Sequence, residues 1–394
     1  MRRQLHWTIC FLLGLLSVFA LIASACGDEE TDATSTADDS GEAADDGGAD
    51  SAGGTPDLAD WTYPVAYLSA EGAVVEDVEW SPLSPDEITQ DWNICAAIVH
   101  LKDSYWTALD YGLADEATRQ GVNMTLLAAG GYTELATQLN QLDDCVAQGA
   151  DGIIVGATSP DGVVAKVEEI VANGTPVVGI GVPVFSDQVP VAFASFVLQG
   201  QKVGEFLLAE VGDGTESVQV AWFPGPAGAG WPDDSLNGFN QVIEGSNIEV
   251  IDVKYGDTGK EAQLALIEDT LQAYEDIDYI IANAVAADVA PQVLTEAGRD
   301  IPVISTYITP ETFDGMVDAS LLATVSDSTA LTGRLGMDML LRILEDQEFL
   351  GSHPTKDIGP NPVLVTSDNL AEFEADRIYH ITPDGFEPVF NVGG

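Results

Sequence analysis

Basic residues are the scarcest chemical class in this chain. Its 394 residues include 13 Lys and Arg against 65 Asp and Glu, which gives a formal net charge of -52. Setting aside the 11 acidic residues of 27–57 and the two arginines of the N-terminus leaves 54 acidic and 11 basic residues. Binding to nucleic acid needs a basic face that neutralises phosphates. The composition therefore excludes a nucleic-acid partner, whereas a highly solvated surface and a cationic ligand are both compatible with it.

Histidine and cysteine are also rare, with four of each. Their spacing matches no zinc pattern, and the sequence contains no His-Glu metal motif and no serine nucleophile elbow. The glycine-rich run from Gly225 to Gly230 lacks the Lys-Ser/Thr ending of a phosphate-binding loop. His100 could act as a base, but no nucleophile lies beside it in a recognisable motif. We therefore predict a protein with no cofactor, no metal and no enzymatic activity.

The N-terminus has the pattern of an export signal. Arg2 and Arg3 precede a short apolar stretch, and Ala23-Ser24-Ala25 comes directly before Cys26. This end resembles a bacterial lipoprotein box, in which the cysteine is lipidated, although Ala23 stands where the box usually has Leu. An uncleaved membrane helix is the alternative. The short apolar stretch favours a lipoprotein signal peptide over 1–26 with lipidation at Cys26.

An acidic linker follows the signal. Residues 27–57 are Asp, Glu, Gly, Ala, Ser and Thr with a single Pro, and they include no aromatic or basic residue. Such a segment cannot bury enough apolar surface to fold. We expect an extended tether, then an N-terminal extension over 58–91, with the folded part held in the periplasm or at the outer face of the cytoplasmic membrane.

The remaining cysteines are Cys95 and Cys145, because Cys10 leaves with the signal and Cys26 is the proposed lipid site. Two leftover cysteines often pair in an oxidising compartment. A disulfide is favoured over two buried thiols.

Apolar segments of strand and helix length alternate from Asp91 onward, which predicts βαβ units and parallel sheets. The pattern restarts near residue 198, so we expect an α/β fold with two Rossmann-like lobes joined by a hinge. The first lobe is predicted to contain 92–196 plus about 326–350, and the second 197–325 plus about 351–394. The predicted strands are 94–99, 123–128, 153–155, 176–180, 218–223, 248–255, 279–283 and 302–306; the predicted helices are 107–120, 134–148, 162–172, 198–211, 236–244, 260–274, 287–297 and 331–344.

The heptapeptide His100-Leu101-Lys102-Asp103-Ser104-Tyr105-Trp106 lies between the first predicted strand and the first predicted helix. Small ligands bind at this edge of open α/β sheets. A carboxylate beside a phenol and an indole can enclose a methylated or cationic solute. The heptapeptide therefore makes Asp103, Tyr105 and Trp106 candidate ligand-binding residues, with a role in the core as the alternative for Trp106.

Two more tryptophans, Trp222 and Trp231, flank a loop rich in glycine and proline. Such a loop lets backbone approach a ligand closely, and it can equally be a plain connection. Both tryptophans are candidate ligand contacts.

The order of elements resembles the type I periplasmic binding proteins, and the closer resemblance is to the TorT subgroup of that family. The similarity runs from about Trp80 to Phe390 and includes the matching positions of Cys95 and Cys145. Its other carriers are the heptapeptide, Asp110-Tyr111-Gly112, Ala129-Gly130-Gly131-Tyr132, Gln148-Gly149-Ala150-Asp151-Gly152, Asp278-Tyr279-Ile280 with Ala284-Val285-Ala286, and Ser305-Thr306-Tyr307.

The resemblance implies an aromatic cleft that holds trimethylamine N-oxide and a loaded form that engages a membrane histidine kinase. It places Tyr307 near the hinge and Asp327 where such proteins often have a polar ligand contact; an exposed crossover acid is the alternative for Asp327. The stretch Ser195-Phe196-Val197-Leu198 departs from the tryptophan-rich stretch of the subgroup, so Phe196 marks a changed part of the cage.

We therefore expect a lipid-anchored, extracytoplasmic solute-binding protein. It would close on a trimethylamine N-oxide-like solute or another methylated amine and signal to a membrane sensor kinase. The alternative is a binding component for a sugar or other small solute that serves an ABC permease.

Overall fold

The computed structural model describes residues 61–69, 71–212, 214–347, 353 and 355–393, all within the chain unit Pro56–Gly394. The strands are β1 Tyr63–Leu68, β2 Val74–Trp80, β3 Asn93–Ile98, β4 Asn123–Ala128, β5 Gly152–Val155, β6 Val177–Ile180, β7 Val191–Ala192, β8 Val218–Gly225, β9 Ile248–Tyr255, β10 Tyr279–Ala282, β11 Val303–Ser305, β12 Ala323–Ser326, β13 Asp357–Pro360, β14 Val363–Val365 and β15 Asn391–Val392. The helices are α1 Ser104–Gln120, α2 Leu135–Ala147, α3 Val164–Ala172, α4 Phe196–Val211, α5 Trp231–Ile243, α6 Lys260–Ala273, α7 Ala284–Ala297, α8 Pro310–Val317, α9 Thr329–Leu344, α10 Leu370–Ala375 and α11 Arg377–His380. None of these helices has the length and apolarity needed to cross a bilayer.

The first lobe is built on a nine-stranded sheet with the order β15-β4-β3-β5-β6-β7-β13-β1-β2. Its centre is parallel, since β3 pairs in parallel with both β4 and β5, and β6 continues the same direction. The strands β15, β1 and β2 add antiparallel edges. Its central strands β5 and β6 are buried throughout, as expected for parallel strands covered by helices on both faces.

The second lobe is built on a six-stranded sheet with the order β14-β12-β11-β10-β8-β9. Strand β8 shows how it is covered: Ala221 and Phe223 pack into one apolar cluster, and Val220 and Trp222 pack into another. Alternate residues of a strand point to opposite faces, so each face of this sheet has its own core. The predicted class, two α/β lobes of the type I binding-protein fold, is confirmed.

Helix α9 crosses back from the second lobe and packs along α1. Two glycines permit this close approach: a Cβ on Gly112 would lie 1.9 Å from the carbonyl oxygen of Ala330, and one on Gly333 would lie 2.4 Å from that of Leu109. Among the described residues α9 is buried on every side from Thr329 to Leu341. It therefore ties the late part of the sequence to the first lobe.

The predicted assignment of the chain to lobes is wrong at both ends. We expected about 351–394 to belong to the second lobe, but β13 pairs with β1 and β7, and β15 pairs with β4, so these strands extend the first sheet. Only β14 pairs within the second sheet. The segment 58–91, expected as a separate extension, supplies the edge strands β1 and β2. Local sequence pattern does not reveal which sheet edge a distant strand will join.

Several helices begin earlier than predicted, and the differences in α1 and α5 affect the site. The first was expected at Thr107, but α1 begins at Ser104 with Asp103 as its N-cap. The helix expected at Leu236 begins at Trp231, directly after Gly230. Consequently, Tyr105, Trp106 and Trp231 lie in first turns of helices rather than in loops.

Candidate ligand-binding site

A pocket lies between the lobes, where helices α1, α4 and α5 begin. It contains about 300 Å³ of empty space, a volume that includes its mouth. Six aromatic residues, named here the aromatic cage, form most of its wall: Tyr105, Trp106, Tyr132, Phe196, Trp231 and Tyr307. The remaining lining residues are Asp103, Val182 and Thr258. Pockets that combine apolar walls with a few polar groups are the usual sites for small ligands.

Asp103 is held in place by helix α1. Its Oδ1 accepts a hydrogen bond of 3.2 Å from the backbone N–H of Trp106, which is the ordinary role of an N-cap carboxylate. The same bond fixes the first turn of the helix, in which Tyr105 and Trp106 follow. One cap therefore positions three of the predicted ligand-binding residues together.

Trp106 is completely buried. Its Nε1 donates a hydrogen bond of 3.2 Å to the Tyr132 hydroxyl. Gly156 makes room for the ring, since a Cβ there would lie 2.4 Å from Cζ3 of Trp106. Because an indole N–H can only donate, Tyr132 accepts this bond and keeps its own proton for an acceptor in the pocket.

The other rings pack against one another around the pocket, two pairs edge to face and the third tilted. Tyr307 lies 5.5 Å from Tyr105 and 5.9 Å from Trp231 between ring centroids, and Phe196 lies 6.1 Å from Trp231. Such geometry leaves electron-rich ring faces available to a guest. The first lobe supplies Tyr105, Trp106 and Tyr132, and the second lobe supplies Trp231 and Tyr307. The cage is therefore complete only when the lobes are together.

The charge of the pocket depends on Asp103 and the buried His100. His100 Nε2 lies 3.7 Å from Asp103 Oδ2, while its Nδ1 accepts from the backbone N–H of Lys102 at 3.4 Å. Burial lowers the pKa of His100, which favours the neutral ring with its proton on Nε2. Burial also raises the pKa of Asp103, and the neighbouring His100 and the Trp106 N–H oppose that rise. A cationic guest would favour the carboxylate form.

Two predicted ligand-binding residues do not line this pocket. The prediction for Trp222 is wrong: its side chain is fully buried in the core of the second lobe, with its ring 4.9 Å from that of Phe239. It points away because alternate residues of β8 face opposite sides of the sheet.

Asp327 is not among the residues that line the pocket. It is buried, so the alternative that it is an exposed acid is wrong. Its carboxylate accepts from Thr329 Oγ1 at 2.6 Å and from Gln199 Nε2 at 3.3 Å. Burial raises its pKa to about 6. Burial raises the pKa values of Tyr105 and Tyr307, and the charge of Asp327 adds to the rise in both.

Sequence reasoning missed Tyr132, Val182 and Thr258 as lining residues. Tyr132 follows the paired glycines after β4, and a polar or aromatic residue after a parallel strand was a usable signal. Thr258 lies in the loop between β9 and α6, at the corresponding edge of the second sheet. Nothing in the local pattern marked Val182.

The predicted disulfide is confirmed, with Cys95 of β3 bonded to Cys145 of α2. It joins two elements of the first lobe across 50 residues of sequence. Among the residues that the structure describes, no group of three or more His, Cys, Asp or Glu side chains could hold a metal ion. The predicted signal 1–26, the lipidation at Cys26 and the linker 27–57 lie outside the described residues.

The family model of the periplasmic binding protein domain matches residues 96–348. The chain belongs to the periplasmic binding protein family. Members are typically solute binders without enzymatic activity. Periplasmic protein TorT of Escherichia coli O157:H7 is 31% identical over 303 residues, which cover 76% of this chain and 84% of TorT. The ribose import binding protein RbsB of Bacillus subtilis is 24% identical over 276 residues, covering 70% of this chain and 88% of RbsB.

Solved structures of periplasmic binding proteins are also similar to this chain. An ABC transporter solute-binding protein from Bradyrhizobium sp. BTAi1 with bound bis-tris is 38% identical, with a TM-score of 0.72, and the match covers 84% of this chain and 98% of that one. TorT in complex with the TorS sensor domain in the presence of TMAO is 29% identical, with a TM-score of 0.67, over 76% of this chain and all of that one. The predicted resemblance to the type I family and its TorT subgroup is confirmed.

Proposed function

We propose that this chain is an exported binding protein whose two lobes close on a small methylated amine or amine oxide. The observation that carries the proposal is the aromatic cage with Asp103 on its wall. Ring faces attract cationic and methylated head groups, by about 0.5–2 kcal/mol per ring contact. Asp103 adds a negative charge that attracts a cation, whereas a neutral sugar could interact with this carboxylate only by donating hydrogen bonds.

The relatives support this class of ligand. The TorS–TorT complex was solved in the presence of TMAO, an amine oxide. The Bradyrhizobium protein holds bis-tris, a tertiary amine with hydroxyl groups. Both small molecules contain a substituted nitrogen. The proposed contacts in this chain are Asp103, Tyr105, Trp106, Phe196, Trp231 and Tyr307, with Tyr132 as an additional donor and Asp327 acting from behind.

We propose that the closed form is recognised by a membrane partner. A ligand can shift the lobes toward closure only by its higher affinity for the closed state. The likeness to TorT favours a sensor kinase, whereas the 38% identical Bradyrhizobium protein is a component of an ABC transporter and favours a permease. Membrane proteins encoded beside this gene provide the test: the loaded protein should bind the outer domain of a kinase or stimulate the ATPase of a permease complex.

We propose further that a lipid on Cys26 anchors the mature chain to the outer face of the membrane. The small residues before this cysteine and the acidic linker after it motivate the assignment. Cys26→Ala should release the protein from the membrane fraction or block its processing. Normal cleavage together with full membrane retention would contradict the anchor.

Calorimetry on the purified chain tests the ligand class. Trimethylamine N-oxide, choline and ribose are titrated into the wild type, Asp103→Asn and the exposed control Asp144→Asn. We expect the amine compounds to bind and ribose not to, and we expect Asp103→Asn to weaken choline at least fivefold because asparagine keeps the helix cap but loses the charge. Asp144→Asn should match the wild type. Tight ribose binding without amine binding would overturn the proposal in favour of a sugar binder.

A further inference from the structure

A second cavity opens directly off the aromatic cage. This side chamber shares Asp103 and Thr258 with the cage and is enclosed by both lobes. It contains about 440 Å³ of empty space, again including its mouth. Its wall is polar where the wall of the cage is aromatic. The two cavities together therefore form one site with an apolar half and a polar half.

The polar half contains a cation without a partner. Lys102 lines the side chamber, and its Nζ lies close to Gly131, beside the loop that carries Tyr132. Across the described residues, its ammonium makes no ion pair and no hydrogen bond. Lys260, the other cation of the chamber, is paired with Asp288 at 2.7 Å. Of the two lysines that line the chamber, Lys102 is therefore the one without a carboxylate partner.

A buried hydroxyl lines the same space. Thr258 is only 5% exposed, and its Oγ1 makes no hydrogen bond of normal length among the described residues, although it lies near enough to the Asp103 carboxylate to lower the pKa of that group. A buried polar group without a hydrogen bond destabilises the folded protein by about 1–3 kcal/mol. Most such groups therefore have a partner, and a bound ligand can provide one. Thr258 lines both cavities and can therefore bond to a ligand that extends from one into the other.

Helix ends and the remaining acids complete the chamber. Helices α6, α7 and α8 begin at its wall, and the N-terminus of a helix favours an anion. The acids that face it are Asp103, Asp288 and Glu311. Asp288 is neutralised by Lys260, and Glu311 accepts a hydrogen bond from Ser104 at 2.7 Å. Asp103 also lines the cage, where a cationic head group would offset its charge. Lys102, the helix ends and Thr258 remain for an incoming negative group.

We infer that the side chamber is a second subsite, which binds the carboxylate tail of a zwitterion whose methylated ammonium head occupies the cage. The ligand class is a betaine: a quaternary nitrogen joined by a short chain to a carboxylate. Lys102 and Thr258 hold the tail and the aromatic cage holds the head. This inference rests on the proposed function, because it takes the cage as the site of the head group.

The test compares three probes that share a methylated ammonium head. Glycine betaine has a carboxylate tail, choline a hydroxyl tail and tetramethylammonium none. Calorimetry on the wild type should give glycine betaine at least tenfold tighter than tetramethylammonium, with choline between them. Lys102→Met should weaken glycine betaine at least tenfold and leave tetramethylammonium within twofold, and Thr258→Val should weaken glycine betaine about threefold. Lys202→Met is the matched control, since Lys202 is a partly exposed lysine paired with Glu205 on α4.

The outcomes separate the two proposals. If tetramethylammonium and choline bind but glycine betaine gains nothing, or if Lys102→Met weakens all three probes equally, the subsite is overturned and the aromatic cage stands. A choline preference over glycine betaine also overturns the carboxylate assignment. If no probe binds the wild type, the proposed function falls together with the inference. Thermal unfolding of each variant verifies that its fold is intact.

Discussion

At the scale of single residues, Trp106 has two roles in this protein. Its indole N–H is satisfied by the Tyr132 hydroxyl, and its ring fills the space left by Gly156 in the core of the first lobe. The ring is therefore both a wall of the pocket and part of the hydrophobic core. Its sequence position at a strand end indicated the first role but not the second.

We predict that Trp106→Ala destabilises the chain by about 3–5 kcal/mol, because it removes a fully buried ring and leaves a cavity. Trp106→Phe should cost less, since a ring face remains to pack and to contact a cation. Chemical denaturation monitored by circular dichroism measures both values. An alanine variant as stable as the wild type would show that this part of the lobe repacks freely around the loss.

Asp103 should make cation binding depend on pH. Burial raises the pKa of this carboxyl, so the proton is taken up at a higher pH than by an ordinary aspartate. As pH falls through that raised pKa, the pocket loses its negative charge and choline should bind more weakly. Asp103→Asn should bind choline weakly at every pH and show no such decline. Calorimetric titrations from pH 4 to pH 8 compare the two; an equally steep pH dependence in the variant would show that Asp103 is not the group responsible.

At the scale of elements, the loop between β8 and α5 positions Trp231. Gly225 ends β8 with a φ of +121°, and a Cβ there would lie 2.4 Å from Cη2 of Trp231. Gly228 in the same loop has a φ of +81° but nothing within 4 Å of a built Cβ. Both glycines therefore have a positive φ, but only Gly225 lies against a ring of the aromatic cage.

We predict that Gly225→Ala displaces the Trp231 ring and weakens ligand binding at least tenfold. Gly228→Ala should lose about 1 kcal/mol of stability from its positive φ and keep wild-type affinity. Affinity by calorimetry and stability by thermal unfolding separate the two effects. Equal affinity in both variants would remove Trp231 from the proposed binding residues.

At the scale of the whole molecule, a hydrogen bond joins the lobes at the mouth of the pocket. Ser104 Oγ, at the start of α1 in the first lobe, donates to Glu311 Oε1 of α8 in the second at 2.7 Å. Such a bond contributes about 0.5–1.5 kcal/mol, or more when the acceptor is charged. Because its two groups belong to different lobes, the bond would break if the lobes separated, and it should therefore stabilise the closed form.

Ser104→Ala should therefore lower the affinity for the ligand about two- to tenfold and leave the two lobes as stable as before. Ser320→Ala is the control, since the Ser320 hydroxyl donates to Gly315 within the second lobe. Small-angle X-ray scattering with and without ligand should give a larger radius of gyration for unliganded Ser104→Ala than for the wild type. Identical radii and affinities would mean that other contacts decide closure.

The sequence by itself determined the local features of this protein. Apolar runs of strand length alternating with helical segments fixed the two α/β lobes, because each pattern buries its apolar side in only one kind of element. The heptapeptide placed Asp103, Tyr105 and Trp106 at a strand end, and compartment chemistry favoured the bond between Cys95 and Cys145.

Only the tertiary structure decided what depends on distant parts of the chain. In the structure β13 and β15 belong to the first sheet, and Trp222 lies in the core of the second lobe. Trp231 and Tyr132 line the same pocket from opposite lobes. It also opened the side chamber beside Lys102 and Thr258. Periodicity in sequence reports which face of an element is apolar, but pairing at sheet edges and contacts between lobes depend on long-range packing, which no local pattern encodes.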